Sequence, residues 1–146
     1  MINVDGDEIR ELFNDKLGYS EKDRYIQIQR IQRLCYLLEK QNQVVVASAL
    51  YSREDLLQWN RKNFYEYYEI YLSASIALVK KRDVKGLYKR VEKGLEKNVV
   101  GVDIPWSVPK SPDLKIDCDK NFSLNDTVLQ IIKVIPRLRD AYESLS

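Results

Sequence analysis

Short apolar runs alternate along this chain with longer segments whose apolar residues recur every three or four positions. The run at residues 44–47 is rich in valine and predicts a strand buried on both faces, as in a parallel sheet. Further strands are predicted at residues 2–4, 67–72 and 114–117. Strands that alternate with helices indicate an α/β fold with a mainly parallel sheet and right-handed crossovers.

The clearest helical pattern follows Ser20, which together with Asp23 resembles a capping box. The apolar face of this helix repeats at intervals of three and four residues and comprises Ile28, Ile31, Leu34, Cys35 and Leu38. This face should pack against the sheet, and a thiol within it should be a buried apolar group.

Other helices are marked by their start and stop residues. Gly18 is the natural stop for a helix that begins near Ile9, and Ser123 can cap the last helix of the chain. Pro136 should kink or end that last helix, because proline lacks a backbone N–H and clashes with the preceding turn. The remaining helices are predicted at residues 53–60, 74–81 and 86–95.

Composition excludes several classes of function. The 146 residues suit a single domain, and a net charge of +2 is too small to indicate duplex DNA or an anionic membrane as partner. The chain has no histidine, so it has no Ser-His-Asp triad and no histidine metal ligand. Two separated cysteines form neither a disulfide framework nor a zinc site. With no apolar run of 18 residues and no signal peptide, we expect a cytoplasmic protein without a metal site of its own.

Polar motifs follow the predicted strands, where a parallel sheet of this kind binds its ligands. They occur in a fixed order: DGDEIR at residues 5–10, NDKLGYSEKDR at 14–24, RDVKGLY at 82–88 and KNVVGVDIP at 97–105. This ordered set resembles the adenylylsulfate kinase family, whose motifs run close to LDGDxxR, LNxxLGFSxxDRxxNIRR, RDPKGLYKKA and KNFTGIDxPYExP. The resemblance covers nearly the whole chain and implies the three-layer sandwich of P-loop kinases.

The resemblance also implies an activity, because the family transfers the γ-phosphate of ATP to the 3′-hydroxyl of adenosine 5′-phosphosulfate with Mg²⁺. Asp7 would orient or deprotonate that hydroxyl. Arg10 and Arg24 would grip the phosphosulfate, since a guanidinium forks onto paired oxyanions. Tyr19 stands where the family has Phe and would stack on the base.

Further roles are carried over in the same way. Lys85 would steady phosphate charge from a lid at about residues 82–110, and Arg82 would belong to the ATP side of that lid. The remaining substrate-binding residues implied by the resemblance are Asp5, Asn14, Gln27, Ser48 and Val99.

Structural explanations exist for each of these residues taken singly. An aspartate at a strand end is often only a helix cap, and Arg10 and Arg24 alone could be ordinary surface residues. The basic run at residues 80–82 is typical of a solvated face. The tyrosine-rich segment at residues 64–71 is more typical of strand and core than of a stacking surface.

The chain departs from the family in the phosphate-binding loop. None of its glycines begins the pattern G-x-x-x-x-G-K-[ST], and the chain opens where the family's second strand would be. A misassigned start or truncation, a remnant that binds without catalysis, and a loop supplied by a separate chain all explain this. An inner strand missing from the sheet would leave exposed edges, so we expect a homodimer or strand exchange.

A second departure concerns the acceptor base. Val99 replaces the family's second Phe, Gln27 replaces an Asn and Gln29 replaces an Arg. Loss of one stacking partner removes about 1–3 kcal/mol by analogy with base–aromatic stacking. The acceptor could therefore be another nucleotide, such as cytidine diphosphoramidate, or the chain could be a catalytically dead nucleotide-binding module.

Overall fold

The computed structural model describes residues 1–13, 17–83, 86–120 and 123–145. Within them, helices and strands alternate as the sequence predicts. The elements are β1 Ile2–Asp5, α1 Gly6–Leu12, α2 Glu21–Glu39, β2 Val45–Ser48, α3 Glu54–Asn63, β3 Ile70–Ser73, α4 Ile76–Lys81, α5 Leu87–Glu92, β4 Leu114–Asp117, α6 Leu124–Val134 and α7 Pro136–Glu143. No helix in the described part of the chain is long and apolar enough to cross a membrane.

The strands pair in parallel, which confirms the α/β class. β1 pairs with β2 in a register that sets Ile2 opposite Val45, and β3 pairs with β4 in a register that sets Ile70 opposite Leu114. Among the described residues the strands form two separate pairs instead of the one sheet that we expected. Each strand is therefore hydrogen-bonded to another described strand along one of its two edges.

The chain divides into two compact units. Unit 1 comprises Met1–Tyr67 and Arg90–Pro109, and unit 2 comprises Tyr68–Lys89 and Lys110–Ser146. The division runs through the segment predicted as a lid, most of which lies in unit 1. A single domain with a lid at residues 82–110 stays a prediction.

Unit 1 is built on the apolar face of α2. Ile31 and Cys35 of this face are buried against Val4 of β1 and Ile9 of α1. The other predicted members, Ile28, Leu34 and Leu38, are partly buried against the same cluster. Burial raises the pKa of the Cys35 thiol to about 11, so the group is uncharged at neutral pH. The predicted helical face and its buried thiol are confirmed.

A second cluster in unit 1 joins α3 to the long loop at residues 97–106. Tyr51, Leu56, Val100 and Ile104 are all buried within it. Trp106 packs against this cluster, and its indole Nε1 donates to the carbonyl oxygen of Leu50 at 2.8 Å. The loop is therefore held down by apolar burial near its centre and by an indole hydrogen bond near its end.

Two sequence expectations are wrong in unit 1. β2 is not buried on both faces, because Val46 retains 46% of its exposure and Ala47 is also exposed. Val45 is partly buried against the core cluster of unit 1, whereas Val46, which points to the opposite face of the strand, is left exposed. The first helix also ends before Gly18: Phe13 adopts the extended φ of −102° and ψ of 131°, which closes α1 at Leu12.

The C-terminal helices of unit 2 follow the sequence closely. Ser123 caps α6 in a reciprocal capping box with Asp126. The helix stops at Ile135, whose φ of −101° and ψ of 105° are extended, as expected before a proline. Pro136 then takes the first position of α7, where its missing N–H costs nothing. The predicted break at Pro136 is confirmed.

Replacing Ser123 with Ala should destabilise unit 2 by about 0.5–2 kcal/mol, the usual range for a lost N-cap. Hydrogen bonds from the Ser123 hydroxyl and backbone lower the pKa of Asp126. The stabilisation that the ionised Asp126 side chain contributes is therefore present above its unfolded pKa of about 3.9. It is lost as the pH falls through the lower pKa of the folded state. Urea unfolding at pH 7 and at pH 3 should show a smaller acid sensitivity in S123A than in the parent. Ser144→Ala is the matched control, because this hydroxyl donates to the Ala141 carbonyl and caps no N–H group.

Candidate functional site

The carboxyl ends of β1 and β2 lie side by side, with Asp5 opposite Ser48. The turn after β1 is tight, since a Cβ added to Gly6 would lie 3.4 Å from the Ser48 carbonyl oxygen. Asp5 caps α1, because its Oδ1 accepts hydrogen bonds from the N–H groups of Asp7 at 2.8 Å and Glu8 at 3.4 Å. This cap fixes Asp7 in the first turn of α1 with its side chain exposed.

Two arginines from different helices converge on one aromatic ring. The guanidinium carbon of Arg10 lies 4.7 Å from the ring centre of Tyr19, and that of Arg24 lies 5.3 Å from it. Tyr19 as a residue is 55% exposed. The predicted side chains for the anion and the base therefore form one accessible cluster, which we call the Arg–Tyr–Arg cluster.

Both guanidiniums of this cluster are oriented by backbone carbonyl groups. Arg10 donates to the carbonyl oxygens of Gly18 at 2.9 Å and Leu17 at 3.3 Å. Arg24 donates through Nε to the Tyr19 carbonyl at 3.0 Å and through Nη2 to the Asn98 carbonyl at 2.8 Å. Across the described residues, no carboxylate forms a salt bridge with either arginine.

The charges of the cluster are therefore only weakly compensated. Burial lowers the pKa of Arg24, and the neighbouring Arg10 guanidinium lowers it further. Like charges held close together in a partly desolvated place cost free energy, which an anion bound between them would offset. The planar donors suit a ligand with paired oxyanions, such as a phosphate or a phosphosulfate.

Gln27 lies one turn beyond Arg24 on the same side of α2 and is 3% exposed. Its Nε2 donates to the Gly6 carbonyl oxygen at 2.9 Å, which ties α2 to the turn after β1. Its Oε1 is buried and has no hydrogen-bond partner among the residues that the structure describes. A buried acceptor of this kind is costly unless a ligand or a water donates to it.

Val99 has almost no exposed surface that a ligand of this cluster could contact. It is 5% exposed, and its backbone N–H donates to the Asp103 carboxylate. Ser48, at the end of β2, is exposed. Of the two side chains predicted to contact the base, only Tyr19 is therefore exposed.

The remaining predicted residues lie elsewhere. Arg82 is the C-cap residue of α4 in unit 2 and is exposed. Hydrogen bonds from Ser75 lower the pKa of Asp119, and the charge of Arg82 lowers it further. Asn14 and Lys85 lie outside the described residues. Their roles, like those of the other site residues, stay predictions.

Sequence reasoning missed Asp103, whose carboxylate organises the loop that faces Arg24. It accepts hydrogen bonds from the N–H groups of Asn98, at 2.6 Å, and Val99. Asn98 has a φ of 63° and Gly101 a φ of 84°, both in the left-handed region. An Asn and a Gly that bracket two valines, followed closely by an Asp, are the signal that could have found this turn.

A triphosphate or a Mg²⁺ ion needs donors that the described residues do not assemble. No group of three His, Cys, Asp or Glu side chains in the described ranges could hold a metal ion. The 146 residues also contain no G-x-x-x-x-G-K-[ST] sequence. Among the described residues, the donors that suit a phosphate-like anion are those of the Arg–Tyr–Arg cluster, and no phosphate-binding-loop sequence accompanies them in the 146 residues.

Comparison with known proteins places these features in a family. The sequence profile of adenylylsulphate kinase matches residues 1–117. The adenylyl-sulfate kinase of Gloeothece citriformis is 32% identical over 135 residues, which cover 92% of this chain and 76% of that protein. The adenylyl-sulfate kinase of Staphylococcus carnosus is 34% identical over 134 residues, which cover 90% and 67%.

A solved structure agrees with these sequence matches. The APS kinase of Mycobacterium tuberculosis in complex with AMPPNP and APS superposes with a TM-score of 0.82 at 26% identity, covering 91% of this chain and 78% of that one. The α/β fold with parallel strands is thus that of the APS kinases. On profile, sequence and fold together, this chain belongs to the adenylylsulfate kinase family.

Proposed function

We propose that this chain provides the acceptor-binding part of an ATP-dependent nucleotide 3′-kinase, with adenosine 5′-phosphosulfate as the default acceptor. The Arg–Tyr–Arg cluster carries the proposal. It combines two weakly compensated guanidiniums with an exposed aromatic ring. A nucleotide offers the matching pair of groups, an anion and a flat base joined through a ribose.

The acceptor would lie with its anionic group on Arg10 and Arg24 and its base on Tyr19. Stacking on a tyrosine ring tolerates any base, so the ring supplies affinity while the arginines fix the orientation. Asp7 projects from the first turn of α1, one turn before Arg10, and would orient the ribose 3′-hydroxyl or take its proton. Asp5, Asn14, Gln27 and Ser48 complete the proposed contacts.

The donor side is proposed from family membership alone. ATP would supply the transferred phosphoryl group, and Mg²⁺ would compensate the negative charge of the ATP phosphates. Lys85 and Arg82 are assigned to the lid over that group. We also propose a homodimer, because the sequence predicts exposed sheet edges.

A second acceptor class is favoured by Val99. Its side chain is buried, so the second aromatic wall of the family has no counterpart at this position. A pyrimidine nucleotide such as cytidine diphosphoramidate needs less stacking surface than adenosine does. This candidate would use the same arginine contacts, and it differs from adenosine 5′-phosphosulfate both in the base and in the anionic group, which is a diphosphoramidate instead of a phosphosulfate.

Calorimetry with each nucleotide separately tests the proposal. Adenosine 5′-phosphosulfate, cytidine diphosphoramidate and ATP would be titrated into the 146-residue chain with Mg²⁺ present. Saturable binding of either acceptor supports the proposal, and a clear preference identifies which of the two nucleotides the site favours. Comparable affinities for the two acceptors would count against pyrimidine selectivity, and failure of both to bind would overturn the proposed acceptor site.

Tyr19→Ala should weaken acceptor binding by about 5- to 150-fold, because loss of base–aromatic stacking costs about 1–3 kcal/mol. Tyr65→Ala is the matched control, since this tyrosine is 94% exposed. Tyr19→Phe should retain most of the affinity, because the ring is kept. Equal losses in Y19A and Y65A would show that Tyr19 is not the stacking partner.

A further inference from the structure

The loop at residues 98–104 is organised around the carboxylate of Asp103. Beyond its hydrogen bonds from the Asn98 and Val99 N–H groups, the loop is closed by the Val99 carbonyl oxygen. That oxygen accepts from the N–H groups of Asp103 and Ile104, each at 3.1 Å. One aspartate thus holds the left-handed residue Asn98 in a fixed orientation.

The fixed residue is itself a contact of the Arg–Tyr–Arg cluster. The Asn98 carbonyl oxygen accepts the 2.8 Å hydrogen bond from Arg24 Nη2. On its other side, Arg24 is held by the Tyr19 carbonyl through Nε. Asp103 and Arg24 are therefore linked through a single peptide group, and their charges also attract each other.

We propose that Asp103 is a positioning residue of the acceptor site, which holds the Asn98 carbonyl against Arg24 and thereby orients this guanidinium for the anionic group of the acceptor. The inference rests on the proposed function, and it adds a residue that touches neither acceptor nor donor. This positioning role also explains why both carboxylate oxygens of the exposed Asp103 accept hydrogen bonds from backbone N–H groups.

The carboxylate is not needed to keep the loop attached to unit 1. Val100 and Ile104 are 6% and 5% exposed and are buried with Tyr51 and Leu56. Removing the carboxylate should therefore leave the loop in place and release mainly Asn98. The hydrogen bonds from Asn98 and Val99 lower the pKa of Asp103, so the group is ionised at neutral pH and its hydrogen bonds are charge-assisted.

A double-mutant cycle tests this role. Calorimetry with adenosine 5′-phosphosulfate would compare the parent, D103A, R24A and the double variant. We expect D103A to weaken binding about tenfold, the order of one charge-assisted hydrogen bond. In the Arg24→Ala background the same change should have almost no effect, because Asp103 acts through Arg24. D103N, which keeps one acceptor oxygen, should restore part of the affinity.

Controls separate positioning from general damage. Asp126→Ala removes another carboxylate that binds backbone N–H, in the cap of α6, and should leave acceptor affinity unchanged. An equal loss from D103A in both backgrounds would overturn the inference. A ligand-free readout keeps the inference separate from the proposed function: D103A should shift the Arg24 Nη2–H resonance in the nuclear magnetic resonance spectrum, because this group donates to the Asn98 carbonyl. An unchanged resonance would refute the link between Asp103 and Arg24, even if the nucleotide binds. If the parent chain binds no acceptor, that result would contradict the proposed function and would leave the link between Asp103 and Arg24 to be judged by the resonance.

Discussion

A chain that carries both Arg10→Ala and Arg24→Ala is expected to lose at least about 100-fold in affinity for adenosine 5′-phosphosulfate. A hydrogen bond to a charged group contributes about 1.5–3 kcal/mol, and a tenfold change in affinity corresponds to about 1.4 kcal/mol. Two lost guanidiniums therefore remove about 3–6 kcal/mol. Calorimetry on the parent and the double variant at the same ionic strength measures the loss.

Graded variants show which property of the arginines matters. Arg24→Lys keeps the charge and loses the planar fork, so its affinity should fall between those of the parent and R24A. Lys22→Ala removes one exposed charge from the first turn of the same helix and should change affinity little. Affinity that follows net charge alone, with K22A as damaging as R24A, would contradict a specific anion site.

Replacing Ile31 with Ala is expected to destabilise unit 1 by about 2–5 kcal/mol, the usual range for a buried isoleucine. Ile31 is 5% exposed and packs against Val4, Ile9 and Cys35. Its Cδ1 also lies 3.8 Å from the position of a Cβ on Gly6, so the resulting cavity would open beneath the turn after β1. Urea unfolding followed by circular dichroism measures the change.

Leu37→Ala is the control on the same helix. Leu37 is 55% exposed, and its removal should change the free energy of unfolding by less than about 0.5 kcal/mol. Similar losses in I31A and L37A would show that the inner face of α2 does not form the core of unit 1. Because the cavity lies close to the site, I31A should also weaken acceptor binding, whereas L37A should not.

Local sequence patterns predicted α2 and the break at Pro136 because those features depend on nearby residues. The spacing of Ile28, Ile31 and Cys35 defines a face, and the missing N–H of a proline acts within one turn. The burial of β2 could not be predicted in this way. Whether Val46 is covered depends on what lies beside and above the strand, and a run of valines is compatible with either outcome.

The candidate site was predicted in part from the resemblance to the adenylylsulfate kinase family. The motifs named Arg10, Tyr19 and Arg24, and the structure brings these three together. Asp103 lies within one of these motifs, but its importance could not be predicted, because it comes from the peptide group between Asn98 and Val99. The carbonyl of this group contacts Arg24, which is 74 residues away from Asn98. Hydrogen bonds to backbone carbonyls leave no mark on side-chain spacing.

The placement of the tryptophans gives the chain an internal spectroscopic reporter. Trp59 packs edge-on to Tyr36 and Phe64, and Trp106 is tied to the Leu50 carbonyl. The chain has two tryptophans, and both lie in unit 1. Fluorescence excited at the indole band will therefore follow the melting of unit 1 alone, while far-ultraviolet dichroism sums the helices of both units. Coincident transitions in the two signals would mean that the units unfold as one cooperative block, and separated transitions would allow the stability of each to be read from a single sample.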